Sequence, residues 1–327
     1  MGALMDYYHI TPLTESVLFL FISYPSLHLQ KVASSVFSKS AAAPLDRVKF
    51  LLMCQDELIK SGRLSHPYKG MRDCFRRVVA AEGVLSLFHG AISNAVIYVP
   101  TQILNHCFKD FFRTMTTAFY YNKADSYSKW FVGTVIAGCA TGVSTLLFIY
   151  PMHFVHTRLV CDLMDRNGDR QFRGYFDVLW KTLASDGLFG LYNGFAATAC
   201  GICVYRGAFF GLYDILKPMM PVSPPGAFLA NFLLSLITTN LAGLATYPFE
   251  TVRRRMMMTS GEAVQYKSMV DAFSQIIQKE GFLSLFKGGM TNIIRAFAAA
   301  LLLILYDEAI VRYRRWRSSE KDNSGRS

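Results

Sequence analysis

Charge is scarce in this chain. Acidic and basic side chains make up 17% of its 327 residues, while 52% are hydrophobic; soluble domains carry about 25% charge. A shortage on that scale excludes an ordinary water-soluble domain and points to lipid as the solvent for much of the chain. Arginine is absent from the first forty residues, which hold Asp6 and Glu15. Organellar presequences are Arg-rich and poor in acids, so no cleavable leader is expected. A cysteine framework is lacking too. The seven cysteines are an odd number and mostly sit in apolar surroundings, which argues against a secreted disulfide scaffold. Cys200-Gly201-Ile202-Cys203 has the spacing of a redox pair, but it lies in an apolar helical run and reads as two small packing residues. No nucleophile–base–acid set, phosphate-binding glycine loop or two-cysteine metal site is found, so no enzyme, cofactor or metal is expected.

What charge there is leans basic, with a net +11. The basic residues form no single stripe of the kind that reads nucleic acid. They occupy polar intervals between apolar stretches, as loops facing anionic lipid or an anionic solute would. Six charge-poor segments, Leu13–Ala43, Ala91–Thr117, Lys129–Tyr150, Phe195–Lys217, Phe228–Tyr247 and Met290–Val311, each reach the roughly 20 residues that a bilayer core demands. The expected fold is therefore an all-α membrane protein with both termini on one side. Lys39, Asn94, Asn105, Arg206, Asn240, Asn292 and Arg295 fall within or at the edges of these spans. Polar groups at membrane depth are expensive, so they should face the bundle interior.

The organising feature is a sentence written three times. A proline opens a charged tag, and some forty residues later an acid–Gly pair introduces an aromatic–x–Gly stop. The tags are Pro44-Leu45-Asp46-Arg47-Val48-Lys49, Pro151-Met152-His153-Phe154-Val155-His156 and Pro248-Phe249-Glu250-Thr251-Val252-Arg253. Their closings are Glu82-Gly83 with Phe88-His89-Gly90, Asp186-Gly187 with Tyr192-Asn193-Gly194, and Glu280-Gly281 with Phe286-Lys287-Gly288. Each odd-numbered span is expected to end at its tag proline, since proline kinks or breaks a helix. Short surface helices are expected at Met71–Ala81, Phe176–Ala184 and Met269–Lys279. The division is an N-terminal tail 1–12, repeats 13–125, 126–225 and 226–315, and a polar tail 316–327.

These motifs resemble the mitochondrial carrier family, whose repeat reads P-x-[DE]-x-x-[KR] and then [DE]-G-x-x-x-x-[aromatic]-[KR]-G. Within it, Arg253-Arg254-Arg255-Met256-Met257-Met258 is similar to the signature of the ADP/ATP carriers. The stretches Ser38–Pro44, Pro100-Thr101-Gln102 and Leu305–Glu308 are similar as well. The resemblance implies six transmembrane helices in three pseudo-symmetric repeats with three short matrix helices. It also implies multi-pass insertion in the mitochondrial inner membrane, and exchange of ADP for ATP by a monomer. Lys39 and Arg295 stand where such carriers hold phosphates. Gly201, Ile202 and Tyr205 match the adenine slot, and Asn105 matches a cavity residue. Ile97 stands where an arginine is expected; Ile97→Arg should then raise nucleotide affinity, with Arg206 a possible substitute cation as the chain stands.

The resemblance also implies two gates. On the matrix side, Asp46 would pair with His156, His153 with Arg253, and Glu250 with Lys49. An imidazole with its ordinary pKa of about 6.5 is mainly neutral in an alkaline compartment, so this gate should be short of up to two ion pairs. On the cytoplasmic side, Asp110–Arg113 and Asp214–Lys217 keep an acid–x–x–base tag, while the third copy has Asp307 followed by Ile310 in place of the base. His153 and His156 share a helix face at i, i+3 but have no third metal ligand, so they read as gate residues. Gly70, Gly90, Gly174, Gly194 and Gly288 stand where helix N-termini of the family bind cardiolipin, consistent with the affinity of free N–H groups for phosphate; turn chemistry accounts for them equally. Two alternatives stay open: a carrier of another anionic solute, and a degenerate member that leaks protons or serves as a scaffold.

Overall fold

The computed structural model describes residues 25–119, 127–164, 168–219, 227–261, 266–298, 301 and 312. Asp307 and the polar tail lie outside the described residues. Within them every regular element is helical, in three similar blocks. Block one holds α1 (Pro25–Lys60), α2 (Met71–Glu82) and α3 (Ala91–Phe119). Block two holds α4 (Tyr127–Val160), α5 (Tyr175–Gly190) and α6 (Phe195–Leu216). Block three holds α7 (Ala227–Met258), α8 (Met269–Glu280) and α9, residues 289–298. The segments Val84–Met115, Phe131–Val160 and Phe195–Leu216 are long and apolar enough to cross a membrane. Large apolar side chains such as Ile92, Ile136, Phe148 and Leu241 face outward, as a protein surrounded by lipid rather than water requires.

The expected surface helices are present as α2, α5 and α8, and in each block the acid–Gly pair ends the regular helix. Gly83 and Gly281 are C-caps, and Gly187 breaks α5 with φ 67°. Two of the surface helices begin at Gly70 and Gly174. The third begins at Ser268, whose hydroxyl accepts the Asp271 amide and caps the helix, the usual function of serine at that position.

The prolines require a correction. The odd helices do not end at Pro44, Pro151 and Pro248; they run through them to Lys60, Val160 and Met258. Proline removes the N–H that would bond the carbonyl four residues back. For Pro151 that carbonyl belongs to Leu147, and it accepts the Tyr192 hydroxyl at 3.0 Å. The aromatic of the stop motif thus satisfies the group that the tag proline orphaned.

Beyond each proline the odd helix packs on its own surface helix. Val48, Leu51 and Leu58 bury against Cys74 and Val78, Phe154 and Leu159 against Val178, and Val252 and Met256 against Ala272 and Ile276. Burying such a side chain is worth about 1.5–3 kcal/mol, so these three small cores hold the tag ends of the bundle in place. The stop glycines then join each block to the next. A Cβ on Gly90 would strike Val160 Cγ2, and one on Gly194 would lie 2.9 Å from the Arg253 carbonyl. With φ near +83° at Gly194, both backbone and space demand glycine there.

Candidate functional site

Between the blocks lies a cavity of about 350 Å³, whose lining includes Asn105, Gly201, Ile202 and Tyr205. Four of the six expected substrate contacts therefore meet in one space. Tyr205 begins a stacked aromatic row with Phe209 and Tyr213, at centroid separations of 6.0 and 6.1 Å; of the three, only Tyr205 lines the cavity. Gly201 also has a packing reason, since a Cβ there would sit 3.2 Å from Phe249 Cβ. Cys200 and Cys203, expected to be packing residues, are instead exposed on α6.

The cations distribute differently from expectation. Lys39 lies on α1, with its side chain outside the described residues. Arg295 is not a wall residue of the cavity: its Nε lies 3.3 Å from Asp46 Oδ1, and its Nη2 donates to Asn292 at 3.3 Å. Ile97 is packed at 3% exposure and does not line the cavity either, whereas Thr101 one turn on does. The basic lining residues are Arg206, Arg253 and His153, of which the sequence reading assigned only Arg206 to the nucleotide.

The tag residues converge at the floor of this cavity. Lys49 Nζ lies 3.0 Å from both Glu250 carboxylate oxygens and 2.8 Å from Asn292 Oδ1. Glu250 also accepts Arg254 at 3.2 Å, and Arg254 stacks over the Phe50 ring at 3.5 Å. The Lys49–Glu250 pair is thus as expected. The Asp46–His156 pairing needs correction, because the ion pair of Asp46 is with Arg295. His156 Nδ1 lies 2.8 Å from Ser93 Oγ, whose own proton goes to the Gly90 carbonyl. His153 and Arg253 share the cavity wall. Asp110, Arg113 and Lys217 are exposed and Asp214 is half-buried, at the far ends of α3 and α6.

A second set of contacts, unread in the sequence, joins the blocks around the floor. Arg47, wholly buried, donates to the Ser86 carbonyl, to Glu82 at 2.8 Å and to the Asp162 carbonyl at 3.2 Å. Glu82 also accepts Arg170 and the Met164 amide from block two. Asp186 accepts the Ser260 hydroxyl and the Gly261 amide from block three. Buried Arg158 donates to the carbonyls of Met257, Met258 and Ser260. Arg255 closes the ring on block one through Asp56 at 2.6 Å and the Met53 carbonyl, while gripping Glu280 with two contacts at 2.7 and 2.8 Å. Burial opposes ionisation of Glu280, but Arg255 and the Ser284 hydroxyl outweigh it and hold the carboxyl down at about 2. Asp162 behaves oppositely: burial raises it despite the Phe172 and Gln171 amides. Burial also pushes the Cys74 thiol up to about 12. The Glu82 and Asp186 carboxylates are therefore inter-repeat acceptors as well as turn markers, while Glu280 accepts from Arg255 and Ser284 of its own block.

Three helical repeats around one central cavity, closed at one end by charged tags and ringed by inter-repeat ion pairs, define a membrane transport bundle. A model of the family described as Mitochondrial carrier protein matches residues 28–119, 127–223 and 225–315, one match per repeat, and the chain belongs to that family. Among similar proteins are ADP,ATP carrier protein 2, mitochondrial, of Arabidopsis thaliana, 52% identical over 280 residues, which are 84% of this chain and 72% of the relative. The ADP/ATP translocase of Thermothelomyces thermophilus is 52% identical over 279 residues, 84% of this chain and 88% of the relative. The ADP,ATP carrier protein of Schizosaccharomyces pombe is 51% identical over 278 residues, 84% and 86% of the two chains.

Proposed function

We propose that this protein is an ADP/ATP antiporter of the mitochondrial inner membrane. The observation that carries the reading is the cavity itself: Asn105, Gly201, Ile202 and Tyr205 line one space together with two arginines, above a floor closed by Lys49–Glu250. Glycines let a flat base approach the backbone, Tyr205 offers a stacking face, and guanidiniums meet phosphate oxygens. Exchange then requires the floor network to open on one side while the far ends of α3 and α6 close on the other. The acid–x–x–base tags of Asp110–Arg113 and Asp214–Lys217 are the groups available for that closure.

The test is transport. Proteoliposomes loaded with ADP should take up labelled ATP, and empty ones should not; no uptake against internal ADP sinks the reading. The packing of Ile97 where an arginine was expected favours, as a second reading, another anionic solute in the same cavity, and uptake of such a solute alone would establish it. Cardiolipin headgroups belong at the N-termini of α2 and α5, at Gly70 and Gly174, where no side chain caps the helix and the first amides lack intrahelical partners. Adding cardiolipin to delipidated protein should raise its thermal midpoint. We take the working unit to be one chain, in keeping with a cavity built from a single chain's three repeats.

A further inference from the structure

We propose that Cys139 and Cys203 form a dithiol site on the lipid-facing side of the second repeat, whose substrate is the hydroperoxide of an oxidised acyl chain and whose product is a disulfide between α4 and α6. The site is independent of which solute the cavity carries. The two thiols stand within hydrogen-bond reach of each other across the seam between the helices. The register of the seam accounts for this. A Cβ on Gly142 would lie 2.7 Å from Ile202 Cγ2, and one on Gly138 would lie 3.4 Å from Arg206 Cδ. The two helices therefore run antiparallel, with Cys139 and Cys203 beside these two contacts. Gly138 and Gly142 are four residues apart and share one face of α4; small residues so spaced let helices approach closely in lipid. A disulfide needs Cα atoms about 4.4–6.8 Å apart, which a seam lined by glycine allows and one lined by large side chains does not.

What reaches the pair is lipid. Neither cysteine lines the cavity, although Ile202, the neighbour of Cys203, does. Cys203 is exposed and Cys139 half-buried. Ile136 and Val132, one and two turns before Cys139 on its own face, are exposed, as is Val204 beside Cys203. Such a surface meets acyl chains, so the oxidant that belongs there is one carried by an acyl chain. Cys54, Cys74 and Cys161, by contrast, are buried. A cation also stands at the seam: Arg206 lies one turn beyond Cys203, with its Nε 3.8 Å from where a Gly138 side chain would begin. A guanidinium beside a thiol favours the thiolate, which is the nucleophile. The exposed Cys203 sulfur attacks the outer oxygen of the hydroperoxide. The S–O bond forms, the O–O bond breaks, and the lipid leaves as an alcohol with the thiol proton. Cys203 is then a sulfenic acid. The Cys139 sulfur attacks the oxidised sulfur, the S–S bond forms, and the oxygen departs as water. Two thiols and one hydroperoxide thus give one disulfide, one lipid alcohol and one water, with two electrons passing from sulfur to the peroxide. The product ties α4 to α6 along one wall of the cavity.

The test uses the full-length protein, reduced and reconstituted in phosphatidylcholine vesicles that contain a phosphatidylcholine hydroperoxide. After incubation the protein is denatured, its free thiols are capped with a maleimide, and its peptides are mapped by mass spectrometry. Two of the seven thiols should be lost, and the peptides carrying Cys139 and Cys203 should appear joined, two hydrogens lighter than the reduced pair and separable by dithiothreitol. Hydrogen peroxide added to the water at the same concentration should form this link several-fold more slowly. Cys139→Ser removes the resolving thiol, so Cys203 should accumulate as a sulfenic acid that dimedone captures. Seven thiols that all survive the lipid hydroperoxide would overturn the proposal. So would a disulfide between any other two cysteines with Cys139 and Cys203 left free. Equal rates with the two peroxides would overturn the assignment of a lipid oxidant. A folded Cys139→Ser protein with no dimedone adduct at Cys203 would overturn the order of attack. If that variant does not fold, the peptide map of the wild-type protein decides alone.

Discussion

At the scale of single residues, the molecule is most sensitive where a buried charge or a positive φ has no alternative. Arg255 is wholly buried and contacts Asp56, Glu280, Ser284 and the Met53 carbonyl. Removing one partner of such a set leaves the others charged and unpaired, at a cost of about 3–5 kcal/mol. Arg255→Ala should therefore abolish or sharply lower the thermal transition of the purified protein; a midpoint within a degree or two of wild type would contradict it. Glu280 gives the same network a pH signature. Its carboxyl is held at about 2, below its unfolded value, so its contribution is fully present above the ordinary carboxylate range and is lost as pH falls toward 2. Between pH 5 and 2.5 the wild-type midpoint should drop more steeply than that of Glu280→Gln, which lacks the titrating group. Gly194 makes a steric prediction. A Cβ there would meet the Arg253 carbonyl at 2.9 Å and the Tyr150 hydroxyl at 3.0 Å, at φ 83°, so Gly194→Ala should cost about 1–3 kcal/mol, measured as a lowered midpoint.

At the scale of elements, the odd helices depend on what repairs their prolines. Tyr192 donates to the Leu147 carbonyl that Pro151 leaves open, and Tyr150 donates to the Asn193 carbonyl at 2.6 Å, returning the bond from the other side. The Tyr150 and Tyr192 rings stack at 5.8 Å between them. Tyr192→Phe keeps the stacking and removes one hydrogen bond, so it should cost about 1 kcal/mol; a loss no larger than the measurement error would mean that lipid or water takes over the carbonyl. This repair also explains what could be read in advance. Three of the six spans, the surface helices and the threefold repeat were legible because charge-poor windows and Gly or acid–Gly punctuation act over neighbouring residues. The continuation of α4 through Pro151 was not, because the group that rescues Leu147 sits on another element. The same limit applies to the site. Tyr205, Gly201 and Ile202, which lie within five residues on one helix, were placed together by their resemblance to the family's adenine slot. Asp46 and Arg295 come from opposite ends of the chain, and nothing local tells Asp46 to choose Arg295 over His156.

At the scale of the whole molecule, the charged contacts at the cavity floor, which the proposed exchange would have to open, are carried unequally by the three repeats. Glu250 accepts both Lys49 and Arg254, and so ties α7 to α1; the second tag brings no acid at all. Closure also hides sulfur. Cys54 on α1 and Cys161 just beyond α4 are both 0% exposed, in one core with Tyr247 of α7. Those three helices must separate at their tag ends for the floor to open, and the two thiols then meet solvent. Glu250→Gln leaves Lys49 and Arg254 buried beside a neutral amide, and the imbalance is relieved when the floor opens and water reaches both cations. In inverted vesicles, with the matrix face outward, a membrane-impermeant maleimide should label Cys54 and Cys161 faster in Glu250→Gln than in wild type. External maleimide on right-side-out vesicles should show no such gain. The wild-type rate on the matrix face should rise when ADP and ATP are supplied on both sides, because exchange carries the floor through its open form in every cycle. Equal labelling of the variant and wild type would place the closure in the inter-repeat ring rather than in Glu250. In that case Arg255→Lys, which keeps the charge but loses the two-pronged grip on Glu280, should expose the same thiols instead.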